Sequence, residues 1–353
     1  MLSGFGEEAQ RKLQQATVLL VGAGGLGCPA LQYLVAAGTG TVVVVDFDTI
    51  DISNLQRQVI YNTNDLGKPK AETAAIKMRA LNPEVTVVSL HQKLSNSNAL
   101  GLVRNADLVL DCSDNFATRY LLSDACSICA KPYLYGAVLR YEGQAGVFNV
   151  RANNKTVVTY RHLFPTPPDP LTVLSCNEAG VLGTVAGIIG TIQGTEAIKL
   201  ITGIGQTLAG RVLNYNALQN AFYTFEVNES PQKENYPKNE SEFLTFDYDW
   251  YCGYSADEIS AEEFRLRLTD PELFIVDVRE KNELPLVNEF KHINLPMSEL
   301  EKNAVQLPVN RQIVLFCNSG QRSMKALKLL KQKNASFRLQ SLRGGITGFL
   351  KHG

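Results

Sequence analysis

The sequence contains a glycine-rich segment whose composition suits phosphate binding. Residues 22–27 read Gly-Ala-Gly-Gly-Leu-Gly, directly after the apolar run 18–21 and before an apolar helical pattern. Glycine permits a tight turn here, and it lets backbone N–H groups approach a phosphate at the start of the following helix. Asp46 directly follows the second apolar run, 42–45, at the spacing where a carboxylate would bond the hydroxyls of a ribose. We therefore predict a nucleotide site, although this pattern alone does not separate NAD from ATP.

Charged residues farther along the chain distinguish between these two nucleotides. Arg57 lies in the run Ser-Asn-Leu-Gln-Arg-Gln at 53–58, Lys70 begins a predicted helix, and Asp114 follows the third apolar run. Breaking a phosphoanhydride requires cations that offset the charge on the phosphates and a carboxylate that holds Mg²⁺. Hydride transfer leaves the pyrophosphate of NAD intact and has no such requirement. Each residue alone also fits an ordinary surface or turn position, but their order after a glycine loop favours ATP, with Mg²⁺ at Asp114.

Two cysteines precede predicted helices, where a thiolate is stabilised. Cys317 ends an apolar run and begins the pattern Cys-x-x-Gly-x-Arg, in which Arg322 adds positive charge. Loop N–H groups and the helix dipole would stabilise a thiolate or a persulfide at this position. Cys176 lies in a predicted loop before a glycine-containing helix, and a thiolate there is suited to attack an activated acyl group. The alternative for Cys176 is a small packing residue, and the alternative for Cys317 is a cysteine that takes no part in chemistry in the same fold.

Alternating strands and helices are expected to position these groups. Fully apolar runs at 18–21, 42–45 and 108–110 are separated by helical patterns such as 70–81. Apolar strands alternating with helices indicate a parallel sheet covered on both faces. The polar segment that follows contains two prolines and is typical of a linker, and apolar runs then return in a second α/β region. We predict a domain over 1–228, a linker over 229–254 and a smaller domain over 255–353.

The order of the N-terminal motifs resembles the ubiquitin-activating-type adenylyltransferases that serve the molybdopterin and thiamine sulfur carriers. The resemblance covers roughly residues 4 to 228 and includes Arg119-Tyr120, Glu142-Gly-Gln and the run 176–183. It implies a Rossmann-like, doubly wound adenylation domain. Such a nucleotidyltransferase uses ATP to adenylate the C-terminal Gly-Gly carboxylate of a small ubiquitin-like sulfur-carrier protein, with release of pyrophosphate.

The resemblance also implies roles for individual residues. Asp46 would hold the ribose, and Asp114 would bind Mg²⁺. Cys176 would form a covalent link to the C-terminus of the carrier, although some members of the family work without this cysteine. The full set of residues expected at the nucleotide is Gly22, Gly24, Gly25, Gly27, Asp46, Ser53, Asn54, Leu55, Arg57, Gln58, Lys70, Asp114 and Asn115, with Asn54, Arg57 and Lys70 on the phosphates.

The C-terminal region resembles a single-domain rhodanese from about residue 255 to 353. The motifs are Asp-Val-Arg-Glu from Asp277, His-Ile-Asn-Leu-Pro from His292, and the Cys317 loop with Arg322. Phosphatase loops are similar, but they usually have one more residue between the cysteine and the arginine. The resemblance implies that Cys317 carries sulfur as a persulfide, received from a donor such as a cysteine desulfurase, and passes it to the activated carrier. Phe349 stands where rhodaneses usually have tryptophan.

Two usual features of the adenylyltransferase family are expected to be missing. One is a structural zinc on two Cys-x-x-Cys pairs, because residues 159–162 read Thr-Tyr-Arg-His and only Cys252 remains of the second pair. Tetrahedral zinc needs four ligands, so we expect no structural zinc. The pair Cys126 and Cys129 fits helix packing better than metal binding. The family also implies a homodimer in which an N-terminal arginine reaches the neighbouring ATP. The sequence given begins after that segment, so either the start is truncated or the arginine is missing, and we expect weaker catalysis without such a charge.

The overall composition limits the remaining alternatives. The formal net charge is -1, which gives no indication of a nucleic acid or a membrane surface as partner. The longest apolar stretch, 181–192, is too short to span a bilayer. Seven cysteines and the absence of a secretion signal favour the cytoplasm. Two other functions stay open at this point: an NAD-dependent oxidoreductase with a sulfur-sensing tail, and a non-catalytic scaffold that docks a carrier.

Overall fold

The computed structural model describes residues 4–151, 157–168, 180–228, 236–252, 257–281, 283–303, 307–334 and 336–351. The chain divides into two compact units, Met1–Cys252 and Gly253–Gly353. Each unit is built on its own β-sheet. No helix within the described residues is long and apolar enough to cross a membrane.

The first unit contains an eight-stranded sheet in the order β3-β2-β1-β4-β5-β6-β7-β8. Neighbouring strands from β3 to β5 in this order are parallel, and β6, β7 and β8 extend the sheet in antiparallel fashion. The strands are β1 Thr17–Val21, β2 Thr41–Val45, β3 Thr86–Leu90, β4 Leu108–Asp111, β5 Tyr133–Leu139, β6 Glu142–Phe148, β7 Arg211–Asn216 and β8 Ala221–Glu226. The helices are α1 Gly6–Gln15, α2 Gly27–Ala36, α3 Lys70–Leu81, α4 Asn96–Arg104, α5 Phe116–Ile128, α6 Tyr160–Leu163, α7 Gly183–Thr202, α8 Glu240–Thr245 and α9 Tyr248–Tyr251.

The central strands of this sheet are buried on both faces. Val18, Leu19 and Leu20 of β1 have no exposed surface. Val18 and Leu20 share a core with Leu31 of α2 and Ile189 of α7. Continuous apolar strands belong in a parallel sheet between helices, which is the predicted α/β Rossmann-like fold. Strands β2 and β3 lie on one side of β1, and β4 and β5 lie on its other side. The chain after β1 therefore leads away from β4, and the chain after β4 leads away from β1. A crevice at this switch point is the usual ligand site of such sheets.

Helices α8 and α9 lie within the segment that we predicted to be a linker, 229–254. Phe243 of α8 is fully buried, and the Asn96 amide donates a 2.9 Å hydrogen bond to the carbonyl oxygen of Phe246. The Tyr248 hydroxyl donates to the carboxylate of Asp124 at 2.8 Å. Residues 236–252 are therefore part of the first unit and not a linker, because their aromatic residues are anchored on α4 and α5. Residues 229–235 and 253–254 lie outside the described residues.

The second unit has a five-stranded parallel sheet in the order β11-β10-β12-β13-β9. Alternate residues of the central strand β12 enter different cores: Ile313 and Leu315 pack on one face, and Val314 and Phe316 pack on the other. The strands are β9 Glu258–Ile259, β10 Leu273–Asp277, β11 Ile293–Asn294, β12 Gln312–Phe316 and β13 Arg338–Leu342. The helices are α10 Ala261–Arg267, α11 Met297–Asn303, α12 Gln321–Lys333 and α13 Gly345–Lys351.

Candidate functional site

A cleft opens at the carboxyl ends of β1 and β4 in the first unit. Many of the residues predicted to bind nucleotide line this cleft: Gly22, Gly24, Gly25, Asp46, Asn54, Arg57, Gln58, Lys70, Asp114 and Asn115. Gly27, Ser53 and Leu55 are not part of the lining, and Cys176 lies outside the described residues. The structure thus brings residues from five different loops and helix starts to one place.

The glycine loop is held tightly between the two central strands. Gly22 has φ +95°, and a Cβ atom there would lie 2.6 Å from the carbonyl oxygen of Cys112. Its N–H donates to the carbonyl oxygen of Val45 at 2.9 Å. A Cβ atom at Gly27 would collide with the carbonyl oxygen of Gly22. Gly27 therefore has a packing role at the start of α2, and its absence from the cleft lining follows from this role.

Asp46 connects the end of β2 to the glycine loop. One carboxylate oxygen accepts the N–H of Ala23 at 2.7 Å, and the other accepts the N–H of Asp48 at 2.8 Å. Burial raises the pKa of Asp46, and the nearby ammonium group of Lys70 partly opposes this effect. A carboxylate oxygen can accept more than one hydrogen bond, so these contacts leave capacity for the hydroxyl groups of a ribose.

Lys70 is the first residue of α3 and is held by an acid that sequence reasoning missed. Its Nζ lies 2.9 Å from Oδ2 of Asp48, and its side chain is only 7% exposed. A lysine loses much conformational entropy when its position is fixed, and here one ion pair and the surrounding packing fix it. Asp48 lines the same cleft. Its position in the sequence, two residues after Asp46, was the only available signal.

Arg57 follows a capped turn beside the glycine loop. Asp51 caps the 3₁₀ turn Ile52–Asn54 by accepting the N–H of Ser53 at 2.8 Å, and the side chain of Asn54 accepts the N–H of Asp51 at 3.2 Å. Nη1 of Arg57 donates to the carbonyl oxygen of Ser53 at 3.1 Å. The backbone carbonyl of Ser53 thus positions Arg57. Ser53 itself is absent from the cleft lining for this reason.

The loop after β4 is organised by buried polar groups. The buried carboxylate of Asp111 accepts hydrogen bonds from the N–H and hydroxyl of Ser113 and from the hydroxyl of Tyr133. Burial raises the pKa of Asp111. Nη2 of Arg119, another buried residue that lines the cleft, donates to the carbonyl oxygen of Ser113 at 3.1 Å. The next residue, Asp114, is exposed at the cleft.

Asn115 caps α5, because its side-chain oxygen accepts the N–H of Thr118 at 2.9 Å. The predicted nucleotide contact of Asn115 is thus accompanied by a structural role.

Among the described residues, no group of three or more His, Cys, Asp and Glu side chains is arranged to hold a metal ion. Cys252 is buried, which raises its pKa to about 12, and Nδ1 of His162 accepts the N–H of Thr159 at the start of α6.

Cys317 follows β12 and is almost completely buried. The N–H of Gly320 donates to its Sγ at 3.2 Å, and the hydroxyl of Ser323 lies 3.6 Å from the same sulfur. The hydroxyl of Ser341 donates to the hydroxyl of Ser323 at 2.8 Å. Helix α12 begins directly after Gly320. A sulfur at a helix N-terminus with N–H and O–H donors around it is suited to carry a negative charge.

The other rhodanese-like motifs support this loop. The buried ion pair between Arg279 and Asp277 has an N–O distance of 2.7 Å, and Nη1 of Arg279 donates to the side-chain oxygen of Asn318 at 3.1 Å. The N–H of Ile346 donates to the carbonyl oxygen of Cys317 at 2.8 Å. Arg322 forms a two-point ion pair with Glu283, which sequence reasoning also missed.

Phe349 is buried in the second unit, where rhodaneses usually have tryptophan. Its ring makes edge contacts with Phe264 and Phe290, at centroid distances of 5.6 and 5.4 Å. The smaller ring therefore still fills the core of this unit.

Comparison with known proteins identifies both units. The sequence profile of the ThiF family matches residues 1–237, and that of the rhodanese-like domain matches residues 260–352. The probable adenylyltransferase/sulfurtransferase MoeZ of Mycobacterium tuberculosis is 41% identical over 363 residues, covering 99% of this chain and 91% of that protein. The sulfur carrier protein adenylyltransferase of Thermus thermophilus is 44% identical over 254 residues, covering 72% of this chain and 94% of that protein.

Solved structures support the same fold. The crystal structure of E. coli MccB with MccA-N7isoASN has a TM-score of 0.55 at 19% identity and covers 64% of this chain and 68% of that one. At this identity the likeness concerns the fold alone. The match with the Mycobacterium tuberculosis protein, by contrast, extends over both units. The chain therefore belongs to the ThiF family, with a ThiF-type adenylyltransferase domain followed by a rhodanese-like sulfurtransferase domain.

Proposed function

We propose that this enzyme uses ATP to adenylate the C-terminal Gly-Gly carboxylate of a small ubiquitin-like sulfur carrier, and that its second domain supplies sulfur from a persulfide on Cys317. The observation that carries the proposal is the cleft after β1 and β4, in which the glycine loop lies together with Arg57, Lys70 and Asp114. Neither an oxidoreductase nor a scaffold without catalysis needs two cations and an acid at this point.

The first step is the attack of a carrier carboxylate oxygen on the α-phosphorus of ATP. The bond to the bridging oxygen breaks, and pyrophosphate leaves with the electron pair. Arg57 and Lys70 offset the charge that builds up on the phosphates, and Asp48 keeps the Lys70 ammonium in place. The glycine loop contributes N–H groups at the start of α2.

Asp114 is the candidate ligand for Mg²⁺. Mg²⁺ in nucleotide sites is usually held by one or two carboxylates together with phosphate oxygens and waters. Asp114 fits this role because it is exposed at the cleft, whereas the carboxylate of Asp111 is buried and engaged with Ser113 and Tyr133. When bound, the ion would neutralise part of the phosphate charge.

Sulfur transfer is assigned to the Cys317 loop. The terminal sulfur of a persulfide on Cys317 would attack the activated acyl carbon, and the leaving group would depart with the electron pair, so that the carrier is joined to Cys317 through an acyl disulfide. A thiol reductant would then attack Sγ of Cys317 and break the S–S bond: the carrier leaves as a thiocarboxylate, and the thiol stays in a disulfide with Cys317. The Gly320 N–H and the Ser323 hydroxyl support the anion on this cysteine. The thiolate of Cys176 would take the acyl group from the adenylate, a role that the family resemblance alone supports.

The wider setting of the reaction follows from the same resemblance. We propose that the enzyme is a cytoplasmic homodimer and that a cysteine desulfurase is the source of the persulfide. The thiols of Cys28, Cys112, Cys126, Cys129, Cys252 and Cys317 are free, which fits a reducing compartment.

ATP–pyrophosphate exchange tests the adenylation step. The purified chain is incubated with ATP, labelled pyrophosphate and, one at a time, Gly-Gly carriers of the molybdopterin, thiamine and thiolated-tRNA pathways. We expect exchange with at least one carrier and none after removal of its two terminal glycines. Carrier binding that does not depend on nucleotide, with no exchange, would favour the scaffold, and tight binding of NAD without ATP would favour the oxidoreductase.

A further inference from the structure

The arginine of the Cys317 loop is neutralised by a carboxylate from another loop. Nη1 of Arg322 lies 2.7 Å from Oε2 of Glu283, and Nη2 contacts the other carboxylate oxygen. The side chains are 36% and 26% exposed, so the pair is partly shielded from water. Two parallel hydrogen bonds of this kind form the strongest geometry for an arginine and a carboxylate. Arg322 therefore does not present a free positive charge beside the sulfur.

The pKa directions agree with this geometry. The hydrogen bonds from Arg322 hold the pKa of Glu283 below its ordinary value, so Glu283 is ionised at neutral pH. The pKa of Arg322 is raised chiefly by Glu283 and to a smaller extent by Cys317. The guanidinium of Arg322 is thus within electrostatic reach of the sulfur, but the carboxylate of Glu283 already neutralises its charge.

The charge of the second arginine beside the loop is also neutralised by a carboxylate. Arg279 pairs with Asp277, and both side chains are buried. Asn318 joins the two pairs, since its oxygen accepts from Arg279 at 3.1 Å and its amide nitrogen donates to Glu283 at 2.7 Å. Two cations and two carboxylates therefore surround the Cys317 loop with no net charge.

This charge balance matters because sulfur donors differ in charge. With thiosulfate, the Cys317 thiolate attacks the outer sulfur, the S–S bond breaks, and sulfite leaves with the electron pair. The thiolate, a monoanion, must then approach thiosulfate, a dianion, and a free cation at the site would reduce the repulsion between them. With a persulfide on a partner protein, the thiolate takes the terminal sulfur and the partner's thiolate leaves. The donor carries one charge or none, and the loop N–H and O–H groups are sufficient to receive it.

The loop that contains Glu283 also has an apolar surface. Leu284 and Leu286 are 72% and 64% exposed. Pro285, between them, accepts a 2.8 Å hydrogen bond from Arg279, so this segment is fixed to the network around Cys317. Exposed leucines in a segment that contacts Arg279 and Asn318 offer contact area to a protein and nothing to a small anion.

We propose that Glu283 is a specificity-determining residue, which by pairing with Arg322 disfavours small dianionic sulfur donors at Cys317 and restricts the site to persulfides carried by a partner protein. This inference rests on the proposed role of Cys317 as the sulfur carrier. Glu283 acts through Arg322 and is not itself a catalytic residue.

The test compares two sulfur donors in variants of the full chain. Thiocyanate formation from thiosulfate and cyanide measures the small donor, and transfer of labelled sulfur from a persulfidated cysteine desulfurase measures the protein donor. For Glu283→Gln we expect kcat/KM with thiosulfate to rise about tenfold or more, the effect of one new charge-assisted hydrogen bond to an anion. Transfer from the protein persulfide should stay within about twofold, because glutamine retains an oxygen for the Asn318 amide.

Two further variants make the test specific. The double variant Glu283→Gln, Arg322→Gln should lose the gain with thiosulfate, because no cation is released. Glu299→Gln removes the same charge from an exposed ion pair with Lys281 and should change neither activity.

The outcomes also separate this inference from the role of Cys317. Activity with either donor in Cys317→Ala would overturn the proposed sulfur carrier itself. If Cys317→Ala is inactive, then unchanged thiosulfate activity in Glu283→Gln, or an equal fall with both donors, would overturn the role of Glu283 alone.

Discussion

A carboxylate oxygen of Asp46 accepts the backbone N–H of Ala23 at 2.7 Å. The acid at the end of β2 thereby fixes the glycine loop that follows β1. The same side chain was expected from the sequence to hold a ribose, and the structure adds this second role. Asp46 thus connects the shape of the glycine loop to the proposed site of the sugar.

For Asp46 we predict a dependence of ATP affinity on pH. Burial raises the pKa of this carboxylate, so it becomes neutral on acidification at a higher pH than an ordinary aspartate. ATP affinity in titration calorimetry should fall there, and Asp46→Asn should bind ATP more weakly and lack this part of the dependence. Since the pKa is raised in the folded state, protonation of Asp46 favours folding, so unfolding through this group cannot explain the loss. An identical pH profile in Asp46→Asn would contradict this role.

Lys70 and Asp48 should differ in the size and kind of their effects. Lys70→Ala removes a cation from the phosphates and should lower kcat for ATP–pyrophosphate exchange by about 10² to 10³. Asp48→Asn only releases the Lys70 ammonium, and we expect a loss of about tenfold or less. Lys77→Ala, which removes an ion pair with Asp65 away from the cleft lining, is the matched control. Equal losses for Lys70→Ala and Lys77→Ala would argue against a phosphate contact.

The glycine at the start of α2 should be intolerant of any side chain. A methyl group at Gly27 would collide with the carbonyl oxygen of Gly22, so Gly27→Ala should destabilise the first unit by about 1 to 3 kcal/mol in urea unfolding. Gly101 in α4 has no atom within 4 Å of its would-be Cβ. Gly101→Ala should be neutral or stabilising by up to about 1 kcal/mol, since alanine favours helix. Similar effects at the two positions would show that the loop is not tightly packed.

The buried pair Arg161 and Asp124 should stabilise the segment 236–252. Nε of Arg161 lies 2.7 Å from Asp124, and the same guanidinium donates to the hydroxyl of Tyr251 at 2.8 Å. Arg161→Ala leaves a buried carboxylate unpaired and should lower the free energy of unfolding, measured in urea, by about 3 to 5 kcal/mol. Arg104→Ala, which removes an exposed pair with Glu240, should cost at most about 1 kcal/mol. Proteolysis within the segment should increase only in the Arg161 variant. Equal losses of unfolding free energy in Arg161→Ala and Arg104→Ala would be inconsistent with a buried pair.

Removal of metal ions tests the expected lack of a structural zinc. Cys252 and His162 are the remaining candidate ligands at the positions where the family often holds zinc, and the imidazole of His162 already accepts the Thr159 N–H. We expect EDTA to leave the thermal unfolding midpoint unchanged and mass spectrometry of the native protein to show no bound zinc. A fall in the midpoint that added zinc reverses would contradict this prediction.

The sequence predicts the architecture well where apolar patterning determines it. The runs at 18–21, 42–45 and 108–110 became strands of a parallel sheet because they are buried on both faces, and the glycine loop follows from close backbone approach. Polar partners were harder to predict. Asp48 and Glu283 act through residues that are distant along the chain, and no local pattern marks such contacts.

The segment 236–252 shows a second limit of composition. Its polar residues and Pro237 are typical of a linker, but a few aromatic side chains are sufficient to anchor it. Phe243 is fully buried, and Tyr248 reaches Asp124, which is 124 residues away along the chain. Neither side chain belongs to a periodic pattern long enough to indicate a buried helix in advance.

The most direct measurement is the mass of the carrier protein after the complete reaction. The chain, a Gly-Gly carrier, ATP and a persulfidated cysteine desulfurase are incubated together. A thiol reductant is then added to release the carrier from Cys317, and the intact carrier is analysed by mass spectrometry. We predict a carrier heavier by the difference between one sulfur and one oxygen atom, formed only with ATP. We also predict that Cys317→Ala abolishes this product while ATP–pyrophosphate exchange continues. An unchanged carrier in the presence of an active exchange reaction, or a sulfur-bearing carrier with Cys317→Ala, would contradict the account.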